Sequence, residues 1–338
     1  MIGIYVICFL IVPFSMLFQT KMTIGKKVLL EKNDTDEIKG IATCFIIFAH
    51  LIIPIKDELH GIGALLNVYT FTGGMGVLLF FFVSGYGIYK GYGRNGIMTN
   101  FWIKRFGNIY FPCVLIQFIF CLFRMVQERR IDISEMFFNS FFGAWFIDVI
   151  MIQYLIFYLA QKLSKNSKNE MIVVSFLLSM IVAIVFYMKG FNPRWYNGLL
   201  LFPIGMLVAD KEQALLIMIH KKWIGCLTVS AVLFIAWGGV FAYGKGRYFG
   251  IDICKVLAGT CLCGFICTMY MRIQLCSKFM QYIGKRSLFF YLIHINLIEI
   301  CEKTGISKVE TFYSVIFLTF IIVELFYRLH QRYFEKKG

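Results

Sequence analysis

Eleven long apolar runs, joined by connections of no more than about 20 residues, leave this chain few folds to choose from. They fall near 2–18, 38–55, 73–90, 107–126, 140–160, 170–188, 196–209, 223–243, 252–271, 282–301 and 311–328. Each reads as a membrane-spanning helix, so the expected class is all-α, a polytopic membrane helical bundle of about 10–11 transmembrane helices. Composition agrees: apolar residues fill 59% of the 338 positions, charged residues only 16%, and the mean hydropathy is +0.74. These values lie well outside those of a soluble domain. The 196–209 run is short for a span and is expected to be tilted or broken. No connection approaches the roughly 50 residues of a separate soluble domain, so one membrane domain is expected. There is no internal repeat, and no matching pair of broken helices of the kind that marks many transporters.

Lysine and arginine placement gives an orientation, since cytoplasmic loops carry the excess. Alternate connections, beginning with residues 19–39, hold roughly two thirds of the 34 lysines and arginines. That side is expected to be cytoplasmic, with the amino terminus outside and the carboxyl terminus inside. Arg124, Arg129 and Arg130 run against the rule, although Glu128, Asp132 and Glu135 lie beside them. The net charge of +15 therefore reads as a topology signal and an attraction to anionic membrane lipids. Its spread over many short loops argues against nucleic-acid binding. The first run has no cation before it and reads as a retained anchor helix, not a signal peptide. Eleven cysteines form no CxxC pair, so no metal site or disulfide framework is expected, and they read as small apolar fillers.

Ionisable and hydroxyl side chains inside the runs are the candidates for chemistry. His50 lies in an apolar stretch, Ile41 to Ile53, eleven residues after Lys39. On a helix it sits roughly 16 Å beyond the lysine, near the middle of a hydrocarbon layer about 30 Å thick. Such burial is costly and marks function by default, although intramembrane histidines also bridge helices. His294 follows Arg286 by eight residues, about 12 Å into the membrane from the same side. The two histidines thus share a depth. His60, His220 and His330 fall in loops or at a membrane edge and read as solvated. Gly73 to Gly87 combines close-packing glycines with the hydroxyls of Ser84 and Tyr86, and helix packing explains it equally well. Lys104-Arg105, ahead of Pro112, suits phosphate recognition or a plain topology signal. Trp145 reads as an interface anchor for a span holding Asp148, Gln153 and Tyr154. Asp34 and Glu37 fit a capping arrangement at the start of the His50 helix.

Taken in order, these stretches resemble acyltransferase family 3, integral-membrane acyltransferases that modify hydroxyls of surface glycans. Lys39 and His50 are similar to the family's basic residue and histidine separated by ten positions. Phe80 to Tyr86 is similar to its Phe-Phe-x-x-Ser-Gly-aromatic element, Lys104-Arg105 to Pro112 to its basic segment, and Ser287 to His294 to its late Ser-x-x-x-Tyr-Leu-x-His element. The family commonly has two arginines three apart before the proline, where this chain has Arg105 and Asn108. The implied organisation is an extra amino-terminal helix over 1–20, a membrane acyltransferase domain over 36–330 and a short basic tail over 331–338.

The resemblance further implies transfer of an acyl group, acetyl above all, from acyl-CoA to a hydroxyl of a surface or lipid-linked polysaccharide in a bacterial plasma membrane. No bound cofactor is implied; the CoA thioester is the donor substrate and the glycan the acceptor. His50 is the expected base, with Ser84, Tyr86, Tyr291 and His294 as supporting catalytic candidates. Lys39, Lys104 and Arg105 are expected to hold CoA phosphates. A transporter or flippase of lipid-linked sugars, its path lined by the same histidines, is the rival reading.

Overall fold

The computed structural model describes residues 2–58, 65–95, 100–128, 144–164, 167–244 and 249–334. They form a helical bundle: α1 (Gly3–Leu17), α2 (Lys32–Ile52), α3 (Val68–Asn95), α4 (Phe101–Val126), α5 (Trp145–Leu163), α6 (Lys168–Met188), α7 (Leu201–Asp210), α8 (Glu212–Lys221), α9 (Trp223–Tyr243), α10 (Phe249–Tyr270), α11 (Lys278–Lys285), α12 (Ser287–Lys303) and α13 (Lys308–Phe334). Among the described residues the sheet is limited to β1 (Lys21–Met22) paired antiparallel with β2 (Ile273–Gln274).

Eight of the eleven apolar runs become segments long and apolar enough to cross a membrane, and the runs at 2–18, 196–209 and 282–301 become the shorter α1, α7 and α12. At 196–209 the helix is broken. A 3₁₀ turn, Pro193–Trp195, and a run of turns precede a ten-residue α7. Irregular backbone inside a membrane needs internal hydrogen-bond partners. Fully buried Gln153 supplies one, donating from Nε2 to the Leu199 carbonyl at 3.0 Å while its Oε1 accepts from Ser179 at 3.2 Å. Two helices also loosen to π geometry, at Val6–Ile11 and Phe106–Tyr110, each shortly before a proline, Pro13 and Pro112. A proline lacks the amide that α geometry needs and clashes one turn back, which the wider turn relieves.

Glycines set the centre of the bundle. A side chain at Gly40 would meet the Met280 carbonyl, and one at Gly284 the Asp36 carbonyl, so α2 and α11 touch backbone to backbone. Gly85 and Gly205 do the same for α3 and α7. Gly73 and Gly76 seat α3 on Ala49 and Ala42 of α2, fixing the antiparallel register of the two helices that carry most candidate residues. At the periphery, α9 has only 6% of its apolar window covered by protein, as befits a helix apolar on every side and facing lipid.

Polar contacts separate into two ends. Lys26–Asp34, Lys90–Glu212, Tyr89–Asp210 and Arg286–Glu324 gather at one, and Arg124–Glu299, Tyr196–Asp252 and Lys255–Asn197 at the other. This is the partition that alternating spans require, with α7 and α12 crossing despite their length. The first end carries the cation-rich connections.

The glycine crossings yield a stability test. A methyl at Gly85 would lie 2.8 Å from the Phe202 carbonyl carbon, whereas one at Gly87 meets nothing within 4 Å. Gly85→Ala therefore destabilises the protein by about 1–3 kcal/mol, as overpacking does, and lowers its thermal midpoint in detergent. Gly87→Ala leaves the midpoint in place or raises it.

Candidate active site

α2 begins one turn earlier than its acidic cluster suggests. Glu31 is the N-cap, and Asp34 at the third helical position completes the capping box by accepting the Glu31 amide at 2.8 Å. Asp34 also holds Lys26 at 2.5 Å, while Glu37 accepts from Tyr270 at 3.0 Å and Gln281 at 2.9 Å. The carboxylates expected to cap thus serve different purposes: Asp34 caps from inside the helix, and Glu37 ties it to its neighbours. So anchored, α2 carries Lys39 near the cation-rich end and His50 deep in the bundle.

There His50 meets His294, which lies 244 positions away in sequence. His50 Nδ1 is 2.9 Å from His294 Nε2, and the rings are nearly parallel, with 13° between planes and centroids 5.2 Å apart. His294 is fully buried, and its Nδ1 lies 2.7 Å from the Phe290 carbonyl one turn earlier. A carbonyl only accepts, so His294 Nδ1 carries the hydrogen. With both rings neutral, His294 Nε2 then accepts from His50 Nδ1–H. The direction of the chain is assigned from this network. It leaves His50 Nε2 with an unshared lone pair, the group that a general base requires.

A cavity of about 600 Å³ opens at the cation-rich end and runs between α2, α3, α5 and α12. Lys32, Lys39, Lys285 and His330 line it near that end, together with Asp36, whose Oδ1 accepts from Lys39 at 3.2 Å. Phe80, Phe146, Tyr154 and Tyr291 wall it further in, and Ser84 lines its outer part. The Tyr291 ring sits 5.3 Å from Phe146 and 6.1 Å from His294, so one aromatic layer separates the cavity from the histidines. His330, expected to be solvated, thus lines the cavity, and His220 Nε2 lies 3.2 Å from the Lys26 carbonyl. His60, Arg129 and Arg130 lie outside the described residues.

The remaining candidates disperse. Ser84 and Tyr86 are two apart on a helix and face nearly opposite ways. Ser84 faces the cavity, but it is eleven residues, roughly 16 Å, along α3 from Gly73, which packs on Ala49 beside His50. It belongs to the outer half of the cavity, away from the histidine pair. Tyr86 faces α8 instead, donating to Glu212 at 2.5 Å and accepting the Leu30 amide at 3.3 Å. It helps pin the connection before α2. Lys104 is exposed, whereas Arg105 stacks its guanidinium 4.5 Å from the centre of the cavity-lining Tyr154 and 5.4 Å from Phe101. Asn108, in place of a second arginine, lines the cavity. Asp148 is buried in α5.

Two features were missed by sequence reasoning. The Phe290 carbonyl was signalled only by its position four residues before a helical histidine. Arg194 had no signal at all: it lies in the broken stretch before α7, with its guanidinium 5.6 Å from the centre of the Trp145 ring.

Residues 34–328 match the acyltransferase-3 family model, described as an acyltransferase domain. Neither a curated protein nor a solved structure matches the chain.

Glu212, outside the spans, gives a pH test. Burial alone raises its carboxyl, but hydrogen bonds from Lys90, Tyr86 and the Leu29 amide outweigh burial and hold it below the ordinary glutamate range. Its charge therefore stabilises the fold above the unfolded pKa of about 4.3, and that contribution is lost as pH falls through the lower folded value. Glu212→Gln should lower the thermal midpoint at neutral pH and shrink its drop on acidification below about pH 4. Wild-type acid sensitivity in the variant would contradict this role.

Proposed function

Since the chain belongs to acyltransferase family 3, we propose that this integral membrane protein transfers an acyl group, acetyl in the simplest case, from acyl-CoA to a sugar hydroxyl. The acceptor is a surface or lipid-linked polysaccharide, and the membrane is the bacterial plasma membrane. The observation that carries the reading is the hydrogen-bonded run from the Phe290 carbonyl through His294 to His50, set behind a cavity with lysines near its open end.

CoA enters from the cation-rich side. Its phosphates meet Lys32, Lys39 and Lys285, with Arg105 held at the cavity wall by Tyr154. The lysines offer point charges where relatives commonly place a second arginine, at Asn108. Lys104, being exposed, contributes only long-range attraction. The pantetheine arm extends past Ser84 towards Tyr291, and transfer requires the Phe146–Tyr291 layer to part so that the thioester reaches His50.

His50 Nε2 then takes the proton of the acceptor hydroxyl as its oxygen attacks the thioester carbonyl. The tetrahedral intermediate collapses, the carbon–sulfur bond breaks, and the departing thiolate takes that proton back from His50. CoA and the glycan ester are the products. During the step His50 is transiently an imidazolium. His294 stabilises it by accepting from Nδ1–H, and the Phe290 carbonyl keeps His294 in the tautomer that can accept. Tyr291, beside His294 on the cavity wall, is the hydroxyl best placed to donate to the carbonyl oxygen.

Acetyl-CoA turnover and glycan acetylation, followed together in membranes at matched expression, test this reading. His50→Ala should lower both by about 100- to 10,000-fold, the usual effect of removing a placed base. Lys39→Ala combined with Lys285→Ala should raise KM for acetyl-CoA while changing kcat little. Sugar movement across the membrane without CoA release would support a flippase and overturn acyl transfer.

A further inference from the structure

The end of the bundle away from the cavity-lining lysines carries a polar frame of its own. There the broken stretch before α7 is fixed on several sides. Asn192 Oδ1 accepts the Arg194 amide at 3.2 Å, and Trp195 is buried against Phe186 and Phe191. Tyr196 and Asn197 donate to Asp252 at 3.2 and 3.3 Å, and buried Lys255 donates to Asn197 at 2.9 Å. These contacts hold backbone and neighbours, and among the exposed residues of the stretch, Phe191, Asn192 and Arg194, only Arg194 carries a charge.

The Arg194 guanidinium lies over the Trp145 ring, 5.6 Å from its centre, and Trp145's neighbour Phe146 contacts Tyr291, which in turn contacts His294. Its positive charge is close enough to act electrostatically on both His50 and Tyr291. No carboxylate of the described residues forms an ion pair with it. A guanidinium held beside an indole face by cation–π attraction keeps its fork of donors available for bidentate binding of a carboxylate or phosphate. A plain interfacial anchor would not need so much buried structure behind it, nor a position beside the catalytic candidates.

We propose that Arg194, oriented by Trp145, forms an acceptor subsite that binds an anionic sugar, through a carboxylate or phosphate near the hydroxyl that is acylated. This rests on the acyl-transfer reading for its purpose, since it places the acceptor on the side opposite the donor. Cations at the two ends would then sort the substrates: CoA phosphates to the lysines, the acidic glycan to Arg194.

Binding can be measured without acyl-CoA, so this proposal and acyl transfer can fail separately. The full-length protein in phosphatidylcholine nanodiscs is titrated with glucuronate, glucose 1-phosphate or glucose while tryptophan fluorescence is followed. Glucuronate, glucose 1-phosphate or both should give a saturable change, identifying carboxylate or phosphate as the preferred group, whereas glucose gives none. Arg194→Gln should weaken the response at least tenfold, Arg194→Lys less so, and Trp145→Phe should remove the signal. An equal response to glucose, no saturable response to any of the three, or indifference to Arg194→Gln would overturn the proposal. So would a change produced by anionic lipid alone and not by the sugars, since that assigns Arg194 to headgroups.

Discussion

An imidazole in hydrocarbon must find hydrogen-bond partners within the protein, and here two imidazoles find each other. His294 has no contact with solvent, and both its ring nitrogens are engaged, one by a carbonyl of its own helix and one by His50. The arrangement satisfies three of the four ring nitrogens and leaves the fourth, His50 Nε2, without a hydrogen-bond partner among the described residues. A buried polar pair that is completed in this way is rigid as well as tolerable, which is what preorganisation demands. Losing His294 would leave His50 free to rotate and would remove the partner that accepts from Nδ1.

This pairing depends on helices meeting at distances that ordinary side chains forbid. Gly73 and Gly76 seat α3 against α2, while Gly40 and Gly284 bring α2 onto the short α11 immediately before α12. α12 then starts at a depth that puts His294, seven residues in, beside His50. The hydrophobic effect contributes little to association inside a bilayer, so such backbone approaches and internal polar links, Gln153 to Leu199 among them, carry the specificity of packing. The same close packing of α3 on α7, with Gly198 against Phe81 and Leu78, seats the broken stretch before α7 on α3.

What could be read from the sequence was depth, and what could not was direction around each helix. Counting residues from Lys39 and from Arg286 put both histidines at one level, and the structure joins them. Counting could not tell that Ser84 faces the cavity while Tyr86, two residues on, faces Glu212. Nor could it tell that Arg105 turns onto Tyr154 while Lys104 turns to the surroundings. The capping cluster was placed correctly in sequence but shifted in role, because Glu31 was the N-cap and Asp34 its partner. Apolar periodicity found the 196–209 run and its shortness pointed to the break, yet the presentation of Arg194 depends on Gln153, Asp252 and Lys255, which come from two other helices, α5 and α10. No local pattern records such convergence.

The central claim is that His50 and His294 act as one unit, and a double-mutant cycle tests it most directly. Acyl-transfer rates would be compared for His50→Ala, His294→Ala and the double variant, at matched folded protein. The account predicts that the double variant is no slower than His50→Ala alone, because removing His294 has nothing left to disturb once the base is gone. Losses that multiply, with the double variant slower by the product of the two single effects, would mean that the histidines work independently and would contradict the pair.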